Sequence, residues 1–353
     1  MDTFDYLQGS ISEINAQVVQ LMERKKQLLQ LIEKERAGGR PEEASDSAAS
    51  PEEKAEDFLA GSSYAKYLDM MKSCRQPVER PHVVYQGEPG AYSEAAARNF
   101  FGKDVDSEGL YSFDDTFLAL AEGRADYAVL PIENSSTGAI RQVYDLLEQY
   151  HFFFVGETTV EINHAFMIMP EADISDITTV YSHEQGLFQC EKFLSQHPEW
   201  KTVAQMDTAG SARIVAEQGD IHKAAICSEL AAEIYGLKVI KSRVNTQSAN
   251  TTRFIIVSPK PEMRENRDKI CISLTTANNS GALHNVLTVF AVHGVNLVRL
   301  ESRPIPERNW EYMFFIEFTG DLLTKAIDPV IHEISLLAKD LRVMGNFQAN
   351  LND

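Results

Sequence analysis

From Tyr6 to Arg36, apolar residues recur at helical spacing (Leu7, Ile11, Ile14, Val18, Leu21, Leu28, Leu29, Ile32), which predicts one long amphipathic helix ended by Gly38-Gly39. Arg40 to Pro51 has almost nothing to bury and is expected to be a mobile linker. A second helical pattern, Glu52 to Arg75, carries Phe58, Leu59, Tyr64, Tyr67, Leu68 and Met71, and Pro77 and Pro81 close it. From His82 onward, short apolar runs are each followed by a small-residue loop and a helical pattern, which predicts an α/β domain. The strands expected there are Val83-Val84-Tyr85, Tyr127 to Leu130, Thr179-Val180-Tyr181, Ala224-Ala225-Ile226 and Phe254 to Val257, with Pro259 and Pro261 ending the domain. Beyond the charged connector Met263 to Lys269 the pattern reads strand (Ile270 to Leu274), helix (Ala282 to His293) and strand (Asn296 to Ser302). It goes on as strand (Trp310 to Phe318), helix (Leu323 to Leu337) and strand (Val343 to Phe347). This βαββαβ order predicts a ferredoxin-like sandwich. Three domains are thus expected: helical over 1–80, α/β over 82–260 and ferredoxin-like over 268–350.

Composition narrows the function. With 353 residues, 44% hydrophobic and 24% charged, the chain has the make-up of a soluble globular protein. A net charge of -19 argues against nucleic acid or an anionic membrane as partner, since both need a basic face. A small anionic ligand would have to be met by local donors. Cys74, Cys190, Cys227 and Cys271 stand far apart with no metal-ligand spacing, and are read as reduced core thiols with no bound metal. The acidic opening and the lack of an apolar run long enough for a bilayer point to the cytoplasm.

Candidate chemistry gathers where strands of the α/β region give way to helices. A helix N-terminus offers unpaired N–H groups and a positive dipole end, so it can hold a carboxylate without a basic side chain. Gln86 to Ser93 precedes a helix running to Phe101, and Pro131 to Gly138 precedes one through Leu147. Ser182-His183-Glu184-Gln185 fits a capping box with Ser182 as N-cap, and Thr208 to Ser211 opens a further helix. Each alone is an ordinary cap; their recurrence in one domain suggests a site.

The motifs Tyr85 to Ala96, Pro131-Ile132-Glu133-Asn134-Ser135, Tyr181-Ser182-His183 and Asn250-Thr251-Thr252-Arg253-Phe254 resemble, in this order, those of prephenate dehydratases. The resemblance covers about His82 to Pro259 and implies two α/β subdomains like those of a periplasmic binding protein, with Thr252 at the cleft. It implies loss of water and carbon dioxide from prephenate to give phenylpyruvate, driven by aromatisation and needing no cofactor. Thr252 would donate or relay a proton to the leaving hydroxyl. Glu133 or His183 would resupply that proton. Asn134, Ser135, Ser182, Gln189 and Ser211 would hydrogen-bond the substrate or its network, and Arg253 would hold a carboxylate or brace the loop.

The last domain resembles the ACT domain that follows the catalytic part in this family. Gly281-Ala282-Leu283-His284 and Glu301-Ser302-Arg303-Pro304 match the two segments that form its phenylalanine site. Feedback by phenylalanine across subunits implies a homodimer or homotetramer. Leu7 to Lys34 resembles the first helix of a fused chorismate mutase, but Gln8 and Lys25 stand where arginines belong, with Arg24 beside Lys25 and Arg36 in place of a later lysine. That segment is short of the cations that rearrangement of a dianion needs. L-arogenate in place of prephenate, and a non-catalytic amino-acid sensor, are the other readings the sequence leaves open.

Overall fold

The computed structural model describes residues 63–247, 249–305, 308 and 310–350. The predicted Tyr6–Arg36 helix, the linker after it and the start of the second helical segment lie outside them, as do the mutase-like positions Gln8, Arg24, Lys25 and Arg36. The chain forms two compact units, which among the described residues are 63–74 with 267–346, and 75–266 with 347–350.

The elements in chain order begin with α1 (Ser63–Lys72), β1 (His82–Gln86), α2 (Tyr92–Phe101), β2 (Asp106–Leu110), α3 (Phe113–Ala121), β3 (Tyr127–Asn134), β4 (Gly138–Ala139), α4 (Arg141–Tyr150) and β5 (Phe153–Glu161). Next come β6 (Ala165–Ile168), β7 (Thr179–His183), α5 (Glu184–Gln189), α6 (Glu191–Leu194), β8 (Lys201–Gln205), α7 (Thr208–Gln218), β9 (Lys223–Cys227), α8 (Glu229–Tyr235), β10 (Lys238–Lys241) and β11 (Thr251–Ser258). The C-terminal elements are β12 (Lys269–Thr275), α9 (Ala282–Val292), β13 (Leu297–Pro304), β14 (Tyr312–Thr319), α10 (Asp328–Leu337) and β15 (Lys339–Phe347).

The α/β unit has two mixed sheets. One runs β2-β1-β3-β11-β5 with β4 on β3, and the other β10-β6-β9-β7-β8. The chain enters the second sheet after β5 and returns to the first with β11, so two crossings join two lobes, as in the periplasmic binding proteins. All five predicted runs are strands of these sheets. The strands that the apolar-run pattern passes over include β2, β8 and β10, edge strands most of whose exposed positions carry polar or charged residues. Val83, Tyr85, Val129, Phe254 and Ile256 of the first sheet share one core with Ala96 and Ala97 of α2 and with Ala225, Cys227 and Ala231 of the second lobe. At about 1.5–3 kcal/mol for each fully buried large apolar side chain, that core dominates the stability of the unit.

Two local expectations are corrected. Pro131 to Gly138 does not lead straight into a helix: β3 turns through Ser135 to Thr137 into β4, and α4 starts at Arg141 with Ile140 as N-cap. Ser182 is no N-cap either. It is the buried fourth residue of β7, its Oγ donates to the Ile226 carbonyl at 2.6 Å, and His183 caps α5 by accepting from the Gln185 N–H. A buried strand hydroxyl bonds the nearest carbonyl, and the helix begins one residue later than the sequence pattern suggests.

The other unit contains a four-stranded sheet in the order β13-β14-β12-β15, in which β14 runs antiparallel to both β13 and β12, with α9 and α10. This is the predicted ferredoxin-like order of an ACT-like domain. Helix α10 starts at Asp328, five residues later than the periodicity indicates, with a proline in its first turn. Helix α1 belongs to this unit and contacts α10, with Tyr67 4% exposed. Among the described residues no helix is long and apolar enough to cross a membrane, and no His/Cys/Asp/Glu group could hold a metal. All four cysteines are free thiols.

Candidate active site

Within the α/β unit a cavity of about 480 Å³ is lined from both lobes. Five helices begin at its wall: α2 (Ala91, Tyr92, Ser93), α3 (Ser112, Phe113), α4 (Ile140, Gln142), α5 (His183, Gln185, Gly186) and α7 (Asp207, Thr208). This is the place where α/β sheets collect ligands, at the carboxyl ends of the strands that feed the helices. No Lys or Arg is among the described residues that line it.

The helix ends differ in what already occupies them. Ser112 and Asp115 close a capping box on α3, and Asp207 caps α7 by accepting from the Gly210 N–H at 2.6 Å. By contrast, Ala91 and Ile140, the N-caps of α2 and α4, supply no side-chain hydrogen bond. The carboxylate nearest α2, Glu94, is turned to the Gly90 N–H at 2.6 Å and to Arg98. Gly90 has φ +89°, and a Cβ there would stand 2.6 Å from the Ala231 backbone, so only glycine lets this loop meet the second lobe.

Thr252 lines the cavity from β11 and is buried. Its partner across the sheet is Asn134, whose Nδ2 donates to Thr252 Oγ1 at 2.9 Å and to Asn250 Oδ1 at 2.7 Å. Asn134 Oδ1 accepts from the N–H and hydroxyl of Ser136 in the β3–β4 turn. The amide is therefore oriented from both ends.

Alternation along the strands separates the expected site residues. Arg253 follows Thr252 and pairs across the sheet with Glu133, the neighbour of Asn134, so both point to the opposite face. There Arg253 Nη1 donates to Glu157 at 2.8 Å, with Glu133 Oε2 3.7 Å from its Nε. Neither Arg253 nor Glu133 lines the cavity, which corrects both the carboxylate-holding reading of Arg253 and the placing of Glu133 behind the Thr252 hydroxyl. His183 and Gln189 do line it. Ser211 is fully buried and donates to the Asp207 carbonyl at 2.9 Å; like Ser182, it stands behind the wall. Ser135 is exposed, and its Oγ accepts from the Thr251 N–H.

Two groups that the sequence reading did not single out complete the wall. His164, 2% exposed, lies 3.0 Å through Nδ1 from the Tyr92 hydroxyl and 2.9 Å through Nε2 from Gln189 Oε1. Burial lowers its pKa below the usual imidazole value, with the Gln189 bond opposing. A neutral ring whose Nε2–H donates to Gln189 and whose Nδ1 accepts from Tyr92 satisfies every group. Asp207 is the reverse case: burial raises its carboxyl above the ordinary range, although the Gly210 N–H pulls it back. Only Asp207 was within reach of sequence rules, as an Asp-Thr-Ala-Gly cap; His164 sits in no motif.

The family profile described as "Prephenate dehydratase" matches residues 83–262. The chain belongs to the prephenate dehydratase family. It is a carbon–oxygen lyase of phenylalanine biosynthesis. A bifunctional chorismate mutase/prephenate dehydratase of Enterobacter agglomerans is 36% identical over 268 residues, covering 74% of this chain and 69% of the relative. The solved prephenate dehydratase of Arthrobacter aurescens, in complex with L-Phe, is 27% identical with a TM-score of 0.69, over 76% of this chain and 90% of that one. A solved quorum-quenching acylase, GqqA, is 28% identical with a TM-score of 0.71, over 76% and 98%. One fold can serve more than one chemistry, so the roles of residues in this dehydratase rest on its own cavity.

Proposed function

We propose that this dehydratase acts on prephenate itself, with the Thr252 hydroxyl as proton donor to the departing ring hydroxyl, and that phenylalanine inhibits it through the C-terminal unit. The observation that carries the first part is the Asn134–Thr252 pair. A threonine hydroxyl has one proton and two lone pairs. With Asn134 Nδ2 donating into Oγ1, the Thr252 proton is free to be aimed at a ligand in the cavity. A hydrogen bond placed where negative charge develops contributes most in a pocket shielded from water. Of Glu133 and His183, it is His183 that shares the cavity with Thr252, and we assign it the resupply of the proton. Asn134 and Gln189 organise the network; Ser135, Ser182 and Ser211 support it through backbone bonds.

Prephenate carries two carboxylates. The open N-termini of α2 and α4 give this wall, which has no Lys or Arg among its described residues, two places for them. Carbon dioxide leaves from the ring carbon opposite the departing hydroxyl, and aromatisation drives the step, so the residues named need only orient the ring and supply one proton.

For regulation, the Arthrobacter aurescens relative was solved with L-Phe bound. In this chain Gly281, with φ +83°, is the N-cap of α9 and gives no side-chain cap; the Ala282 N–H already donates to the Asn279 carbonyl at 3.3 Å, and the Leu283 amide is the one offered to an amino-acid carboxylate. Glu301, 3.7 Å from Arg299, is the candidate for the ammonium, with Ser302, Arg303 and Pro304 after it on β13. A homodimer or homotetramer in the cytoplasm, with four free thiols, completes the proposal. Purified full chain is incubated with prephenate near neutral pH, and phenylpyruvate is followed with and without phenylalanine. Turnover suppressed by phenylalanine is expected, and no phenylpyruvate above background would sink the proposal. L-Arogenate as competitor tests the substrate, chorismate alone tests mutase activity, and binding of prephenate without turnover would point to a sensor.

A further inference from the structure

The reverse face of β11 carries charged groups that the chemistry does not use. Arg253 sits at an irregularity of the sheet: Thr252 pairs with Asn134 and Arg253 with Glu133, but Phe254 pairs with Pro131, so Ile132 is an extra residue on β3. A bulge of this kind loosens the ladder and re-aims neighbouring side chains, and here it falls between Arg253 and Phe254, one residue past Thr252. Something else must set the position of the strand.

Arg253 ties β11 to both of its neighbours, through Glu133 on β3 and through Glu157 on β5. The Glu157 side chain is only 2% exposed, and its two oxygens are divided between two donors. Oε2 takes Arg253 Nη1 at 2.8 Å, and Oε1 takes the backbone N–H of Asn350 at 2.9 Å. Asn350 also donates through Nδ2 to Thr159 Oγ1 at 2.8 Å, and Thr159 is the cross-strand partner of Arg253. Phe347, fully buried, seats the same segment beside Phe154, their ring centres 6.2 Å apart. Residues 347–350 directly continue β15 and, past Asn346, pack with the α/β unit.

We infer that Glu157 and Asn350 are positioning residues for the dehydration: the segment after β15 holds Glu157, Glu157 holds Arg253, and Arg253 fixes β11, which presents Thr252 beside the bulge of β3. A buried carboxylate that satisfies a guanidinium and an amide at once gives the strand a single position, whereas either partner alone leaves a buried charge underpaired. Small misplacement of a reacting group from outside the site is enough to slow a reaction by up to about a hundredfold. The inference rests on the proposed role of Thr252, and the experiment separates the two.

Steady-state kinetics are measured on full chains carrying Glu157→Ala, Glu157→Gln and Asn350→Pro, the last removing the backbone donor. The account expects kcat for prephenate to fall about ten- to a hundredfold in Glu157→Ala, with KM within about twofold, and less in Glu157→Gln, which keeps one of the two acceptors. The decisive comparison repeats Glu157→Ala on Thr252→Val. If the brace acts through the hydroxyl, the second change costs nothing further in kcat; the same loss on both backgrounds, or a loss confined to KM, would overturn the inference. Should Glu157→Ala fail to fold, Asn350→Pro is read by amide exchange of the β11 peptide, which must quicken; unchanged exchange overturns the brace. Thr252→Val at wild-type turnover would refute the role of Thr252 alone, leaving the exchange result to judge the brace.

Discussion

The two faces of β11 are built on opposite principles. Toward the cavity stand a hydroxyl, amides and a neutral imidazole, and the lining includes no Lys or Arg, whereas the next residue in the strand points into a cluster of an arginine and two glutamates. Fixed charge serves on the reverse face, where Arg253 and the buried Glu157 hold geometry. Oriented dipoles serve on the other, where a cation would bind substrate and transition state alike and so lower KM without raising kcat. On the proposed reading a protein of net charge -19 meets a dianion with helix ends and amides, while the Arg253 ion pairs stand on the other face of the sheet.

The largest break in this contrast should come from Asn134→Ala, which removes the donor that turns the Thr252 hydroxyl. A loss in kcat of about a hundredfold is expected, within the range of positioned proton donors. Melting should show a cost of about 1–3 kcal/mol from the partners left without it. Next, Ala91→Asp would place a carboxylate on the open end of α2, where a substrate carboxylate is proposed to sit. KM for prephenate should rise about tenfold while the fold gains up to about 2 kcal/mol from the new cap. Unchanged KM in a stabilised variant would show that this helix end holds no part of the substrate.

Smaller effects concern the titrating groups of the wall. Burial lowers the pKa of His164 from 6.5, so between its folded value and 6.5 the unfolded chain binds a proton that the folded chain does not. Wild-type stability should therefore fall as pH is lowered through that window, and His164→Gln should lose that part of the slope in melting curves. Asp207 works in the other direction. Its raised carboxyl keeps a proton in the fold that the unfolded chain releases, so its ionisation costs stability as pH rises through the folded value. Asn at 207 keeps the cap on Gly210 without that cost. The stability of Asp207→Asn relative to wild type should thus improve from pH 4 toward neutrality, and an invariant difference would contradict the burial effect.

Much of this was legible in the residues. The apolar runs at Val83, Tyr127, Thr179, Ala224 and Phe254 are strands, and the βαββαβ order of the last unit was written in its alternation of patterns. Motif spacing led to Thr252 and Asn134 together. The same reading set Glu133 and Arg253 beside them because adjacency along a motif says nothing about which face a side chain takes. Period two in a strand sends neighbours to opposite sides, and the face is decided only by pairing across β3, β11 and β5. His164 was out of reach for a related reason: its partners, Tyr92 and Gln189, are 72 and 25 residues away along the chain. Ser182 and Ser211 had the composition of caps, and burial turned both hydroxyls to carbonyls instead.

The central claim is that a single hydroxyl, aimed by Asn134 into a cavity with no Lys or Arg in its lining, makes the reaction run. Its most direct measurement is kcat with saturating prephenate for Thr252→Ser against Thr252→Val, both checked for native folding. The account predicts that Ser, which keeps the hydroxyl, exceeds Val by a factor of about one hundred or more, in line with a positioned proton donor. Equal turnover in the two variants would contradict it.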